Sequence, residues 1–366
     1  MTKKTRVAIL FGGRSAEHEV SLQSARNVID AIDTDRYEPV LIGIDRSGAW
    51  SLNEKSISLL NSDDPRLISL NKSNKPVSLV PSDRAGVLID LQGSSDLPGV
   101  DVLFPVLHGP YGEDGSVQGL AKLANVACVG CDILGSAIAM DKDISKRLLK
   151  LAGIPVARYL CLRRGSPIDD IRQQLEDDFG YPLYCKPANM GSSVGVTKVS
   201  RPEELKSAVE TALRYDSKVI IEETIAGREI ECAVLGNDEP MASAIGEIGT
   251  QDGFYSYQKK YIDDNAAELI IPASLDATTE SRVRDIAIAA FKTLECRGMA
   301  RVDMFLTEND EIYVNEINTI PGFTAISMYP KLWQASGMSY TELIDRLIQL
   351  AIEDHAVKEQ LETSAC

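Results

Sequence analysis

The chain has 366 residues, 38 Lys+Arg against 54 Asp+Glu, and a formal net charge of −16. This length suggests two or three domains of ~100–200 residues, and 44% hydrophobic with 25% charged residues excludes a disordered chain. The acidic balance argues against a nucleic-acid or anionic-membrane surface, since both need a basic footprint, but a few local cations suffice for a small anionic ligand.

No run approaches the ~18–20 apolar residues needed to span a bilayer. The apolar run Val7 to Phe11 stops at Gly12-Gly13 and is too short for a signal-peptide core, so a cytoplasmic chain is expected. The seven cysteines are scattered. Cys128 and Cys131 form one C-x-x-C without a second pair or nearby His, so packed thiols are expected rather than zinc.

The first ~135 residues alternate strand-like and helix-like segments, which favours an open α/β sheet. Arg6–Phe11 reads as a strand buried on both faces. A helix is predicted over Glu17–Ile32, and further strands over Pro39–Ile44 and Val100–Leu107. Asn61–Ser82 reads as a surface excursion and Gln92–Gly99 as a loop. Ligands of such sheets sit at the carboxyl ends of strands, here Gly12-Gly13 and His108-Gly109. A helix is then predicted over Met140–Ala152, ended by Gly153 and Pro155. Next come strand Val156–Leu162, helix Ile168–Asp178, strand Leu183–Lys186, a Gly/Ser turn, strand Val194–Val199, helix Pro202–Tyr215 and strand Lys218–Glu223. The remainder predicts strands near Arg228–Leu235, Met241–Ile248, Met299–Leu306 and Glu311–Ile317, with helices near Leu275–Leu294 and Tyr340–Asp354. The domains expected are 1–137, 138–225 and 226–366.

Chemistry concentrates in a few segments. Arg301-Val-Asp303 and Glu316-Ile-Asn318 each place two polar residues at i, i+2, on one face of a strand. The turn-like Glu308-Asn-Asp310 between them suggests an antiparallel hairpin that gathers Asp303, Glu316 and Asn318 as oxygen ligands, a set suited to Mg²⁺. Arg301 would project beside the metal, towards phosphoryl oxygens. On spacing alone, a solvated face of alternating charge accounts for the pattern equally simply. Lys186-Pro-Ala-Asn-Met-Gly-Ser-Ser-Val-Gly195 ends a strand in Lys and opens a turn whose small residues let N–H groups approach phosphate. It is not a Walker A loop, and an ordinary glycine hairpin is the alternative. Lys142 starts a helix, where an ammonium and free N–H groups can face phosphate. Glu222-Glu223 and Glu229 flank a turn where carboxylates could accept from ribose or adenine, or simply face solvent. Phe254–Tyr261, with Lys259 and Lys260 between turn formers, suggests a lid that excludes water. No nucleophile triad stands out.

Phe11-Gly-Gly-Arg-Ser-Ala-Glu-His-Glu-Val-Ser21, His108-Gly-Pro-Tyr-Gly-Glu-Asp-Gly115, Met140-Asp-Lys142, the Lys186–Gly195 loop, Lys260-Tyr261, Arg301-Val-Asp303 and Glu316-Ile-Asn-Thr-Ile-Pro-Gly322 occur in this order. Together they resemble the D-alanine–D-alanine ligases of the ATP-grasp superfamily, A-type isozyme, over essentially the whole chain. The resemblance implies an α/β, three-domain ATP-grasp architecture, with ATP between the central and carboxyl-terminal domains. It implies transfer of the γ-phosphoryl to one D-alanine carboxylate, then attack by the amine of a second, for peptidoglycan precursor synthesis. Asp303, Glu316 and Asn318 would hold two Mg²⁺, with Mn²⁺ as a possible substitute. Lys142 and Lys186 would neutralise α- and β-oxygens, and Lys260 would reach the γ-phosphate. Glu222, Glu223, Ile225, Glu229, Phe254, Phe305 and Asn315 would complete the nucleotide site. Glu17 would pair with the first D-alanine ammonium, near His108 and Val20, and join Ser192 and Tyr261 in a hydrogen-bonded set. Arg301 and the Gly322 N–H would stabilise the oxyanion, while Ser327, with Met328, would bind the second D-alanine. The resemblance also implies a homodimer. In the family, Tyr261 with Lys260 marks dipeptide makers, which favours D-alanine over D-lactate as acceptor. The alternatives are a ligase with a D-lactate or D-serine acceptor, a non-catalytic nucleotide-binding protein, and, less well supported without a G-x-G-x-x-G, a dinucleotide oxidoreductase.

Overall fold

The structure, a computed structural model, describes residues 3–53, 59–60, 68–70, 75–93, 97–249 and 268–362. Three larger sheets organise them.

The first sheet has the order Trp50–Asn53, Tyr37–Ile44, Thr5–Gly12, Val102–Val106, Ala127–Cys128. Its central pairings are parallel, and only Trp50–Asn53 runs antiparallel, at the edge. Val7 to Phe11 are fully buried, as a doubly covered parallel strand requires. From Thr5–Gly12 the chain steps to one neighbour, Tyr37–Ile44, and later returns on the other side as Val102–Val106. The order therefore reverses at the carboxyl end of Thr5–Gly12, which is where open α/β sheets bind ligands. Gly12, Gly13, His108 and Gly109 lie there. Gly12 has φ +93°, and a Cβ on it would stand 2.2 Å from the Ile44 carbonyl oxygen, so the close crossing admits only glycine.

The second sheet, Tyr159–Arg163, Lys218–Glu223, Leu183–Pro187, Thr197–Val199, is antiparallel throughout. Helices Asp169–Asp178 and Leu205–Ala212 flank it, and the latter buries Leu205, Ala208, Val209 and Ala212. The third sheet, Glu268–Ile270, Met241–Gly249, Arg228–Gly236, Gly298–Leu306, Ile312–Asn318, is also antiparallel. Helix Ala277–Thr293 packs against one of its faces through Val283, Ala287, Ala290 and Phe291. Helix Met328–Ala335 packs against Met241–Gly249 and Arg228–Gly236, and with helix Tyr340–Glu359 joins the core of the first sheet. The last helix starts in a reciprocal capping box between Ser339 and Glu342, the kind of cap worth ~1 kcal/mol.

Several boundaries differ from the sequence reading. Met140 ends a separate helix, Ile133–Met140; Asp141 then caps Lys142–Leu151 by accepting from the Asp143 and Ile144 N–H groups. The helix expected over Met140–Ala152 is thus present, beginning two residues later because Asp141 is its N-cap. Pro202–Glu204 is a 3₁₀ turn, so helix Leu205–Ala212 is shorter than expected. Within the supposed surface excursion, Val77–Val80 is a strand paired with Val87–Asp90, and Val77 and Leu79 are buried. Its alternation of apolar and polar residues is the signal that the loop-like composition obscured.

Candidate active site

The second and third sheets enclose a cavity of about 410 Å³. Its lining includes Lys142, Lys186, Ser192, Glu222, Glu223, Ile225, Glu229, Asp303, Phe305, Asn315 and Glu316. The structure therefore brings together most residues expected around a nucleotide. Phe254, Lys260 and Tyr261 lie outside the described residues.

The hairpin expected from the spacing is present. Gly298–Leu306 pairs antiparallel with Ile312–Asn318, setting Asp303 opposite Glu316 and Arg301 opposite Asn318. A register shift follows Asp303. Arg301 forks onto Asp303 with two bonds of 2.7 Å and reaches Glu231 at 2.9 Å. Asn318 donates its amide N–H to Asp303 at 2.9 Å, and Lys142 Nζ stands 3.2 Å from Glu316. Two carboxylates and an amide, without sulfur or imidazole, form a hard oxygen set that fits Mg²⁺ rather than a softer ion. Among the described residues no group of three or more His, Cys, Asp or Glu is disposed around a metal. Two carboxylates completed by an amide fall outside such a group.

The lysines come from different elements. Lys142 opens its helix and also donates to the Met190 carbonyl at 2.7 Å. Lys186, next to last in its strand, stands 2.6 Å from Glu222 and 3.3 Å from the Asn315 side-chain oxygen. Glu222 is held by a second cation, Lys146 Nζ, at 2.9 Å. Burial alone would raise the Glu222 pKa, but the two lysines outweigh it and hold the carboxyl down at about 2. Burial lowers Lys146, whereas Glu222 overrides burial at Lys186 and raises it. Sequence reasoning passed over Lys146, although it stands four residues after Lys142 and so on the same helix face. Glu223 binds Arg158, accepting from its Nε at 2.7 Å and its backbone N–H at 2.8 Å.

The Gly/Ser turn is fastened at both ends. Lys142 N–H donates to the Ala188 carbonyl at 3.0 Å, and Asp216 accepts from the Asn189 backbone and side chain at 2.8 and 2.9 Å. Ser192 and Ser193 have φ of +50° and +58°, a left-handed conformation uncommon for residues with a Cβ and concentrated at functional loops. Ser192 Oγ donates to Glu17, so part of the expected Glu17–Ser192–Tyr261 set is present.

Glu17 leads across to the reversal point of the first sheet. His108 is buried there, with Nδ1 2.9 Å from the Ile320 carbonyl and Nε2 3.1 Å from Ser24 Oγ. Nδ1 therefore carries the proton and Nε2 accepts from Ser24. Burial holds the imidazole below its usual pKa, which keeps it neutral. Ser24 Oγ also accepts from the Phe323 N–H at 3.2 Å. Glu113 accepts from the N–H groups of Gly109 at 2.8 Å and Ile320 at 3.1 Å. Burial, with Glu17 nearby, pushes the Glu113 carboxyl up to about 7. Gly322 is thus suspended between two anchored residues, and a Cβ on it would stand 2.8 Å from Ser327 Oγ. Ser24 and Glu113 were missed because they lie 299 and 207 residues from their partners on this loop.

Ser327 precedes helix Met328–Ala335 and holds Thr324 by two bonds, of 3.0 and 2.7 Å. The Val20 side chain is buried in helix His18–Ala31. Met328 packs into the core, and a Cβ on Gly246 would meet its sulfur at 2.6 Å.

Comparison with known proteins agrees with this arrangement. The family model described as D-ala D-ala ligase N-terminus matches residues 6–131, and that described as D-ala D-ala ligase C-terminus matches 148–349. A "D-alanine--D-alanine ligase" of Shouchella clausii (strain KSM-K16) is 56% identical over 361 residues, 99% of this chain and 98% of that protein. Among solved structures, the VanG D-Ala:D-Ser ligase of Enterococcus faecalis shares 40% identity at a TM-score of 0.84, covering 95% of this chain and 100% of that one. The D-alanine–D-alanine ligase of Bacillus anthracis complexed with ATP shares 29% at a TM-score of 0.72, covering 97% and 99%. The chain belongs to the D-alanine–D-alanine ligase family, whose solved members share this ATP-grasp fold.

Proposed function

We propose that the chain is an ATP-dependent ligase that joins two D-alanine molecules into D-alanyl-D-alanine, releasing ADP and phosphate, in peptidoglycan precursor synthesis. The observation that carries this reading is the convergence of Lys142, Lys186, Asp303 and Glu316 on one cavity, with Arg301 beside Asp303. Carboxylate is a poor electrophile, so it must be activated before an amide can form. Phosphoryl transfer depends on positioning and charge neutralisation more than on covalent help.

ATP occupies the cavity in this proposal. Lys142 and Lys186 face α- and β-phosphate oxygens, and Lys260 the γ-phosphate. Glu222, Glu223, Ile225, Glu229, Phe254, Phe305 and Asn315 surround the nucleotide. Asp303, Glu316 and Asn318 would hold two Mg²⁺, or Mn²⁺, which would neutralise phosphate charge during transfer. Glu17 pairs with the ammonium of the first D-alanine, bordered by Val20 and His108. A carboxylate oxygen of this first D-alanine attacks the γ-phosphorus, the bond to ADP breaks, and a D-alanyl phosphate results. The second D-alanine, its carboxylate held by Ser327 beside Met328, loses a proton and attacks the acyl carbon through its amine. Arg301 and the Gly322 N–H stabilise the tetrahedral oxyanion, and the carbon–oxygen bond to phosphate breaks. Ser192 and Tyr261 tie the closing loop to Glu17.

Three domains, 1–137, 138–225 and 226–366, a homodimeric assembly and a cytoplasmic setting complete the proposal. No helix among the described residues is long and apolar enough to cross a membrane. The test is phosphate release from ATP and Mg²⁺ with D-alanine as sole amino acid. Turnover is expected, and its absence would reject the reading. A second reading, with D-serine as acceptor, is favoured by the likeness to the VanG enzyme. Release that rises only when D-serine is added, with a mixed dipeptide as product, would select it.

A further inference from the structure

The cavity is unexpectedly acidic for a polyphosphate site: seven of its lining residues are Asp or Glu, against three Lys or Arg. Glu222 is the deepest of these acids, with 2% of its surface exposed, and it shares an ion pair with Lys186. A Lys186 in a closed one-to-one pair with Glu222 would bring no net charge to an incoming anion. At the other carboxylate oxygen of Glu222 stands Lys146, 1% exposed and absent from the cavity lining. Its Nζ lies 2.9 Å from Oε1 of Glu222, while Lys186 holds Oε2 at 2.6 Å.

We infer that Lys146 is a positioning residue for nucleotide binding: it neutralises Glu222 at its other carboxylate oxygen, so that Lys186 faces the phosphates carrying an uncompensated positive charge. The inference deepens the proposed function and rests on its assignment of Lys186 to phosphate.

The geometry supports it at three points. Lys186 and Glu222 lie on adjacent antiparallel strands, where Glu222 faces Tyr184, two residues from Lys186 and on the same side of the sheet. The pairing of Lys186 with Glu222 is therefore built into the strand register and would close without a third group. Lys146 comes from a different element, one helical turn after Lys142, so a single helix supplies both the cation near Glu316 and the second cation on Glu222. The cluster has two ammonium groups and one carboxylate in a region shielded from water, where one unit of charge is weakly screened.

The experiment measures binding of ATP and of adenosine, without D-alanine, by calorimetry on the full chain. Lys146→Met keeps the length of the side chain and removes its charge. ATP affinity is expected to fall ~10- to 100-fold, a weakly screened unit charge being lost, with adenosine affinity changed much less. The double variant K146M/E222Q restores the net positive charge at Lys186, and its ratio of ATP to adenosine affinity is expected to recover most of the loss. A residue that merely filled space would not be rescued by a second change that removes another buried charge.

An unchanged ATP-to-adenosine ratio in K146M, or a double variant no better than the single, overturns the inference. Where K146M does not fold, the double variant alone decides, since replacing a buried ion pair by neutral groups is commonly tolerated. A double variant whose ATP-to-adenosine ratio lies more than about tenfold below wild type rejects the inference, one unit charge being the expected difference. Lys186→Met separates the two levels. If it binds ATP as wild type does, the assignment of Lys186 to phosphate fails. If K186M loses ATP while K146M keeps it, only the inference about Lys146 fails.

Discussion

The cavity between the second and third sheets and the corner around Gly322 are built from opposite materials. The cavity is assembled from charge: Arg301 with Asp303 and Glu231, Lys142 with Glu316, Lys186 and Lys146 with Glu222. The corner is assembled largely from uncharged hydrogen bonds, with a neutral His108, Ser24 and backbone amides. Ion pairs inside a cavity can exchange partners when a charged ligand arrives, because each ammonium or carboxylate is satisfied by another charge of the right sign. Directional bonds to a backbone loop fix the place of a single N–H group, as an oxyanion donor requires. The contrast teaches that one region is poised for ligand exchange and the other for rigidity.

Four measurements test that contrast, in descending order of effect. Glu316→Gln should lower the ligation rate by about 10²–10³-fold, the loss seen when a charge-stabilising group is removed from a preorganised site. Its melting temperature should move only a few degrees, because its ion pair with Lys142 at 3.2 Å opens onto the cavity rather than into a core; a full wild-type rate in that variant would remove Glu316 from the chemistry. Ser24→Ala should act on the rigid side. Losing the acceptor for the Phe323 N–H and the donor to His108 should cost about 1–3 kcal/mol in a denaturant titration. It should also lower kcat roughly tenfold through misplacement of Gly322 while ATP affinity stays constant. A change confined to ATP affinity would break the division between the two regions.

The third measurement is a pH series on stability. The Glu222 carboxyl is depressed from 4.5 to about 2 in the fold by its two lysines. Its contribution is therefore fully present above pH 4.5 and is lost as pH falls towards 2. Glu222→Gln should flatten that acid limb, read as urea midpoints at successive pH values. An identical limb in both proteins would show that Glu222 is not the group responsible. The smallest effect belongs to Tyr340→Phe, which removes the 2.6 Å bond from the Tyr340 hydroxyl to the Phe323 carbonyl. About 1 kcal/mol of stability should be lost, with ATP affinity untouched.

The legible parts of the molecule were those whose reasons are local. The strand Lys218–Glu223 has the limits that its apolar run predicts, and the hairpin carrying Arg301, Asp303, Glu316 and Asn318 follows from two i, i+2 pairs and a short turn. The start of the helix at Lys142 was read to within two residues, because Asp141 is a local cap, whereas the preceding helix Ile133–Met140 was missed because its short run of small and apolar residues carries little helical periodicity. The Val77–Val80 strand was missed because polar neighbours dominate its segment, while burial comes from residues elsewhere in the chain. Lys146 carried a readable signal in its spacing from Lys142, but its partner Glu222 lies on another element.

The sequence by itself determined the order of the principal strands and helices, without Ser116–Leu123, Ile133–Met140 and Met328–Ala335, together with the glycine and hydroxyl chemistry of the Lys186–Gly195 loop and the pairing of carboxylates on the last hairpin. Those features depend on periodicities of two and 3.6 residues and on turn residues, all of which act over a few positions. Only the tertiary structure decided which charges face one another, that Glu222 sits between two lysines, and that Ser24, His108 and Glu113 clamp a loop more than 200 residues away. Charge and hydrogen-bond partnerships depend on distance in space, and the packing of one sheet against another sets that distance without leaving a local trace in the chain.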